Sequence, residues 1–176
     1  PTATVRARRV VIATNGYSVE RALPALQRRL LPVLSNVVVT QPMTKAEKAE
    51  GGFTSTDCMS DTRTLLYYYR RLPDDRIMLG GKGPVRPNTT SMARHRDALL
   101  AAIRRKFPFM QRPRADYFWG GWVALTRDSI PHIATAEDDA TLHYAVGYIG
   151  SGVSCSVHAG RQIAEQINGG AATLPA

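Results

Sequence analysis

Leu142-His143-Tyr144-Ala145-Val146-Gly147-Tyr148-Ile149-Gly150-Ser151-Gly152-Val153 is the stretch from which the rest of the chain is read. Leu142, Tyr144 and Val146 alternate with other residues, the period of a short strand. Gly147, Gly150 and Gly152 then break the strand. From Val153 to Ile167 the apolar residues Val153, Val157, Ile163, Ala164 and Ile167 fall close to helical spacing, and Gly169-Gly170 stops that helix. Strand, glycine-rich turn and helix expose bare backbone to a ligand. The first helical turn adds unpaired N–H groups and the positive end of the helix dipole, which suit an anionic group. The same pattern also serves as a plain connector, and both readings stay open on these residues alone.

The 176 residues suit one domain, or one and a piece of another, and 44% hydrophobic residues are enough for a real core. No apolar run approaches the ~20 residues that span a bilayer, so no membrane span is expected. Pro1 to Arg9 is short, basic and leads straight into a strand-like run, without the pattern of a signal peptide. The chain opens on proline, and the expectation is that it is part of a longer protein. Cys58 and Cys155 stand apart with no CxxC pair, which suits a reducing compartment and a cytoplasmic location. His95, His132, His143 and His158 have no metal-ligand spacing, so no metal site is expected.

With 23 Lys and Arg against 14 Asp and Glu, the formal charge is +9. The cations form small scattered clusters, such as Arg6/Arg8/Arg9, Arg28/Arg29 and Arg104/Arg105/Lys106, with no recognition motif or aromatic-interleaved stripe. They read as solvated surface, or as a funnel for an anionic substrate or cofactor. No nucleic-acid partner is expected.

Read in order, Val10 to Ala13 is a continuous apolar run of the kind found in parallel strands buried on both faces. Thr14-Asn15-Gly16 would lie at its carboxyl end, where open α/β sheets bind ligands. A proline-punctuated segment from Arg21 to Leu34 carries one short helix around Ala25 to Leu30. Asn36 to Gln41 reads as a strand and Thr44 to Ala49 as a helix. Thr64 to Arg71 and Arg76 to Gly81 read as a hairpin turning at Pro73-Asp74-Asp75. Ser91 is placed to cap a helix with Leu99, Leu100, Ile103 and Phe107 on its apolar face, ended by Pro108. Ala115 to Thr126 forms a long strand around the pair Gly120-Gly121, and Arg127 to Pro131 turns the chain back. These elements predict an α+β fold: an α/β portion, a mainly antiparallel sheet with helices, and a return to the α/β portion.

Four groups of residues then appear together: Val11-Ile12-Ala13-Thr14-Asn15-Gly16-Tyr17; Pro73-Asp74-Asp75-Arg76 with Leu79-Gly80-Gly81; Trp119-Gly120-Gly121 with Ala124-Leu125-Thr126 and Pro131; and Gly147-Tyr148-Ile149-Gly150-Ser151-Gly152-Val153 before a helix. Their order and spacing resemble the C-terminal half of the D-amino-acid-oxidase-like FAD-dependent oxidoreductases, from about Val10 to Gly169. The resemblance implies an incomplete two-domain FAD-binding fold. Residues 1–34 and 128–176 would form part of the FAD-binding domain, and 35–127 the substrate domain with its antiparallel sheet. It implies non-covalent FAD, although the family's GxGxxG pyrophosphate motif has no counterpart in this sequence. On the matched positions, Thr14, Asn15, Gly16, Gly147, Gly150, Ser151, Gly152 and Val153 would bind the cofactor, with backbone N–H groups facing the flavin ring.

The resemblance also bears on substrate. Amino-acid-oxidising members carry a Gly-x-Arg-Pro pattern whose Arg grips the substrate carboxylate; here the aligned residues are Gly121-Trp122-Val123-Ala124. The pattern is more similar to the γ-glutamylputrescine oxidoreductase branch. It implies oxidation of the C–N bond of a primary or secondary amine, with dioxygen or another carrier as electron acceptor. No side chain stands out as acid or base, and Tyr68, Trp119, Trp122 and Lys82 are the pocket candidates. Two alternatives remain: a non-catalytic basic binding module, and a helper subunit that completes a flavin site with a separate polypeptide.

Overall fold

A computed structural model describes residues 3–18, 26, 29–84 and 87–169. The strands are β1 (Val10–Ile12), β2 (Leu30–Thr40), β3 (Met59–Ser60), β4 (Tyr68–Arg71), β5 (Ile77–Lys82), β6 (Ala115–Thr126), β7 (His132–Thr135) and β8 (Leu142–Val146). The helices are α1 (Lys45–Gly51), α2 (Thr89–Lys106) and α3 (Gly152–Ile167), with a 3-10 turn at Asn15–Tyr17. The chain divides into two compact units, one of Pro1–Val33 with Trp122–Ala176 and one of Leu34–Gly121. The mixed α+β class expected from the sequence is the one observed.

The first unit holds a three-stranded sheet in the order β1-β8-β7. β1 runs parallel to β8, with Val11 opposite His143, and β7 returns antiparallel to β8, with Thr135 opposite His143. α3 lies on the face that bears Ala145, burying it with Tyr148, Ala159 and Ile163. The apolar residues read from the sequence are split between two sides of α3. Ile163 is buried, but Val153 is 95% and Val157 is 77% exposed. Residues 153, 157 and 164 repeat at helical spacing along the outer side, half a turn away from Ala159 and Ile163. The strand β7 was not anticipated, because four residues behind a proline are too few to show a period.

The second unit is built on a five-stranded sheet, β3-β4-β5-β2-β6. β5 pairs antiparallel with both β2 and β4, placing Gly80 opposite Val37 on one side and Tyr68 on the other. One face is closed by α2: Val38, Ile77, Leu79, Leu99, Ile103, Phe107 and Met110 form a single buried cluster with Met43. Burying large aliphatic side chains at about 1.5–3 kcal/mol each makes this cluster the main source of the unit's stability. Phe107 stacks near Phe53, Tyr69 and Phe109, with ring centroids 5.2–5.9 Å apart.

Several element ends differ from the sequence reading. The cap of α2 is Asn88, whose side chain accepts from Ser91 N at 2.9 Å while Ser91 Oγ accepts from Asn88 N at 2.9 Å. Ser91 is thus the third helical residue of a capping box rather than the cap itself. The strand expected from Thr64 begins only at Tyr68, because Asp61 claims the chain before it. Its Oδ1 accepts from Tyr67 N at 3.0 Å, its own N–H donates to Tyr67 O at 3.0 Å, and Leu65 and Leu66 are left exposed. β2 starts earlier than expected, at Leu30. Of the short helix expected around Ala25 to Leu30, all but Leu26, Arg29 and Leu30 lies outside the described residues.

Candidate active site

Parallel pairing of β1 with β8 brings two strand ends side by side, and the residues that follow them meet. Asn15 Oδ1 accepts a hydrogen bond from Gly147 N at 2.9 Å. Asn15 can reach back because it adopts a left-handed backbone, with φ of 45°, which an Asn tolerates better than most residues. Gly147 is also left-handed, and a Cβ there would lie 2.3 Å from Thr126 Cγ2. Only glycine fits that position without displacing its neighbour. Ile149 N then donates to Ala124 O at 3.1 Å, tying the turn to β6, and Ser151 N donates to Tyr148 O at 2.9 Å.

Beyond this clasp α3 begins. Ser151 occupies the cap position without a side-chain cap bond. The N–H groups of Gly152, Val153 and Ser154 have no backbone acceptor among the described residues. Open first-turn N–H groups at the positive end of a 16-residue helix suit an anionic or electron-rich group. Gly150 faces open space, with φ of 103°. Tyr148 closes the inner side of the turn, and burial pushes its phenol above the ordinary value, so it remains a neutral packing group.

Gly16 serves a different contact. A Cβ there would lie 2.5 Å from Trp122 O, so the 3-10 turn rests directly on the β6 backbone. Tyr17 Oη accepts from Trp122 N at 3.3 Å and reinforces this approach. Thr14 Oγ1 and Ser18 Oγ are 2.9 Å apart and close the turn. Thr14, Asn15, Gly16, Gly147 and Trp122 are therefore neighbours in one unit. The role of Tyr17 was not legible in the sequence, since nothing marks a turn tyrosine as a partner for a strand residue over a hundred positions away.

Tyr68, Trp119 and Lys82 belong to the other unit. Tyr68 covers Gly80, and its hydroxyl lies 3.0 Å from Ser35 Oγ. Lys82 is opposite Ser35 in the ladder and exposed at the end of β5. Strand alternation puts Tyr68, Ser35 and Lys82 on the face away from Tyr69, Leu79 and α2. On β6 Phe118 packs into the core, whereas Trp119 is 48% exposed. The residue that organises this part of the sheet is Asn36, wholly buried, whose Nδ2 donates to Trp119 O at 3.2 Å. The sequence showed it only as one position of an apolar strand.

The family model described as FAD dependent oxidoreductase matches residues 2–166, nearly the whole chain. The chain belongs to the FAD-dependent oxidoreductase family. It is 30% identical over 170 residues to γ-glutamylputrescine oxidoreductase of Escherichia coli K12, covering 95% of this chain and 38% of that protein. It is 31% identical over 170 residues to the probable oxidoreductase OrdL of Haemophilus influenzae, covering 91% and 36%. Among solved structures it resembles iminodiacetate oxidase from Chelativorans sp. BNC1, with a TM-score of 0.71 at 16% identity over 97% of this chain and 45% of that one. L-proline dehydrogenase from P. horikoshii gives a TM-score of 0.68 at 22% identity, covering 95% and 44%. The chain thus spans 36–38% of the length of these sequence relatives.

Family membership makes FAD the expected cofactor, held without a covalent bond. The clasped turn fits such a group, since it offers open N–H donors and a glycine facing free space. Among the described residues there is no cluster of metal-ligating side chains, and no helix is long and apolar enough to cross a membrane.

Proposed function

We propose that this chain contributes the redox end of an FAD site in an oxidoreductase that oxidises the C–N bond of an amine. The observation that carries this reading is the bond from Gly147 N to Asn15 Oδ1, which locks two adjacent parallel strand ends beneath the open first turn of α3. Gly150, Ser151, Gly152 and Val153 would hold the cofactor through backbone N–H groups. Asn15, with Thr14 and Gly16 beside it, would keep the turn in shape rather than act on substrate. Bound FAD would supply the two-electron acceptor for hydride leaving the carbon next to nitrogen. The protein's part is to orient the deprotonated amine and to exclude water.

An amine is favoured over an amino acid because Val123, where the resemblance aligns the carboxylate-gripping Arg, offers no charge. The 30% identity to a γ-glutamylputrescine oxidoreductase supports the same substrate class. Tyr68, Trp119 and Lys82 remain pocket candidates within the second unit, and Trp122 within the first.

A second reading, in which a separate polypeptide completes the cofactor grip, is favoured by the uncovered valines of the first unit. Val10 and Val11 on β1 are 46% and 45% exposed, and Val153 and Val157 on α3 more so.

The test is a visible spectrum of the purified, FAD-reconstituted protein, mixed anaerobically with γ-glutamylputrescine and, separately, with glycine and proline. Bleaching by the amine alone supports the proposal. Bleaching by the amino acids alone replaces the substrate class. A protein that retains flavin only when co-expressed with a second polypeptide supports the second reading.

A further inference from the structure

The first unit contains a second concave feature, on the opposite face of its sheet from α3. Ala145 faces α3, so alternation along β8 turns Tyr144 and Val146 the other way, and there they line a cavity of about 520 Å³. That volume lies within the ~300–1,000 Å³ of ordinary small-molecule sites. Val146 is fully buried beneath it, and Leu30 and the ring of Tyr144 extend an apolar floor.

The rim is cationic. Arg29 and Arg127 both line the cavity, and neither guanidinium has an ionic or hydrogen-bond partner among the described residues. Asp128 and His132 line the cavity as well, and the Asp128 carboxylate is already committed: it faces His132 Nε2 at 3.0 and 3.2 Å, and Oδ1 also accepts from Ile130 N at 3.2 Å. The imidazole first, then the Thr126 hydroxyl and the Ile130 N–H, hold its acid below the ordinary range. Two guanidiniums with no partner among the described residues, over an apolar floor, disfavour a cation, so the amine of the proposed reaction does not belong here. They match an anion, which a guanidinium fork grips in bidentate fashion, joined to an apolar body that the floor desolvates.

We propose that this cavity binds a small organic anion with an aliphatic or flat apolar body, of the class of a medium-chain carboxylate. Arg29 and Arg127 would hold the carboxylate, and Leu30, Tyr144 and Val146 the apolar part. The site has a built-in link to the clasped turn. Thr126 and Leu30 line the cavity, and they are also the side chains nearest to where a Gly147 Cβ would sit, at 2.3 and 3.7 Å. A ligand in the cavity therefore presses on the residues that support Gly147.

Titration of the purified chain with octanoate, followed calorimetrically and by amide chemical shifts, tests this without any need for flavin or activity. Octanoate is expected to bind and to shift the amides of Thr126, Tyr144 and Val146, while octylamine does not. Arg29→Met and Arg127→Met, both at exposed positions and checked for folding by circular dichroism, should each weaken octanoate about tenfold or more. The proposal is overturned if octanoate does not bind, if octylamine binds equally well, or if the shifts map away from these three residues. Unchanged affinity in both arginine variants, or stoichiometric displacement of octanoate by FAD, overturns it as well; the latter would make the cavity part of the cofactor site. Failure of the amine-oxidation reading leaves all of these outcomes unaffected.

Discussion

The two units of this chain bury their apolar residues to different extents. In Leu34–Gly121 one sheet face and one amphipathic helix close on each other, and Leu79, Leu99, Ile103 and Met110 have no exposed surface. In the unit of Pro1–Val33 and Trp122–Ala176 the buried apolar cluster among the described residues is Ala145, Tyr148, Ala159 and Ile163, while Val10, Val11, Val153, Val157 and Ile130 face solvent. A sheet and helix that bury a core need side chains of the right size. The clasped turn of the first unit instead needs particular backbone angles and one carboxamide. The second unit is therefore expected to respond to lost volume, and the first to changes in turn geometry.

The largest effect should come from Leu79→Ala. Leu79 is fully buried between the sheet and α2, so truncation removes transfer free energy and leaves a cavity, about 2–5 kcal/mol together. Urea denaturation gives the size, and amide exchange gives the place. Protection should fall in β4, β5 and α2. A loss below ~1 kcal/mol would mean that the second unit is no better packed than the first.

Gly147→Ala comes next, at about 2–3 kcal/mol. The left-handed backbone strains any side chain, and the added Cβ meets Thr126 Cγ2. Thr126 cannot easily swing aside, because its Oγ1 donates to Ile130 O at 3.0 Å and accepts from Ile130 N at 3.1 Å. Exchange protection should drop in β8 and the start of α3, leaving β4 and β5 unchanged. The contrast with Leu79→Ala is then direct: one variant loses volume in the closed unit, the other gains a methyl group in the open one.

The difference between the units also explains what the sequence could tell. The apolar runs at Asn36 to Gln41 and Leu142 to Val146 mark strands because their burial is regular, whereas Val10 to Ala13, expected to be buried on both faces, forms a strand whose Val10 and Val11 are exposed. The helix with Leu99 and Ile103 is equally plain. Gly147, Gly150 and Gly152 marked the turn that follows Leu142 to Val146, but not the bond that shapes it. That Asn15 Oδ1 is the group accepting from Gly147 depends on the parallel register of β1 against β8, two segments more than a hundred residues apart, and no local pattern encodes it. Which side of α3 meets the sheet was not legible for a related reason: Val153 and Val157 are as apolar as Ile163, and sequence periodicity cannot tell which of two apolar stripes is buried.

A smaller effect is expected at acid pH in the closed unit. The Arg63 guanidinium beside Asp61, with the backbone N–H of Tyr67, lowers its carboxyl from 3.8 to about 2. A depressed acid stabilises the fold above its unfolded value, and that contribution disappears as pH falls through the folded value. Asp61→Asn should therefore differ most from the parent above about pH 4 and converge with it near pH 2. Parallel stability curves across that window would show that the carboxylate adds nothing to the turn before β4.

Val157→Ser should be the mildest change and the sharpest probe of the open unit. Val157 is 77% exposed on the outer side of α3, so a serine there removes little buried area. Helix propensity changes only slightly between the two residues, and surface substitutions of this kind stay within about 0.5 kcal/mol. The expected result is an unchanged urea midpoint for this chain alone. The same substitution has a second readout where a further polypeptide packs on α3. There the valine becomes a buried contact, and serine should weaken the association while leaving the isolated chain as stable as before. A destabilisation above ~1 kcal/mol in the isolated chain would mean that Val157 already packs against this chain. The first unit would then be a closed core like the second.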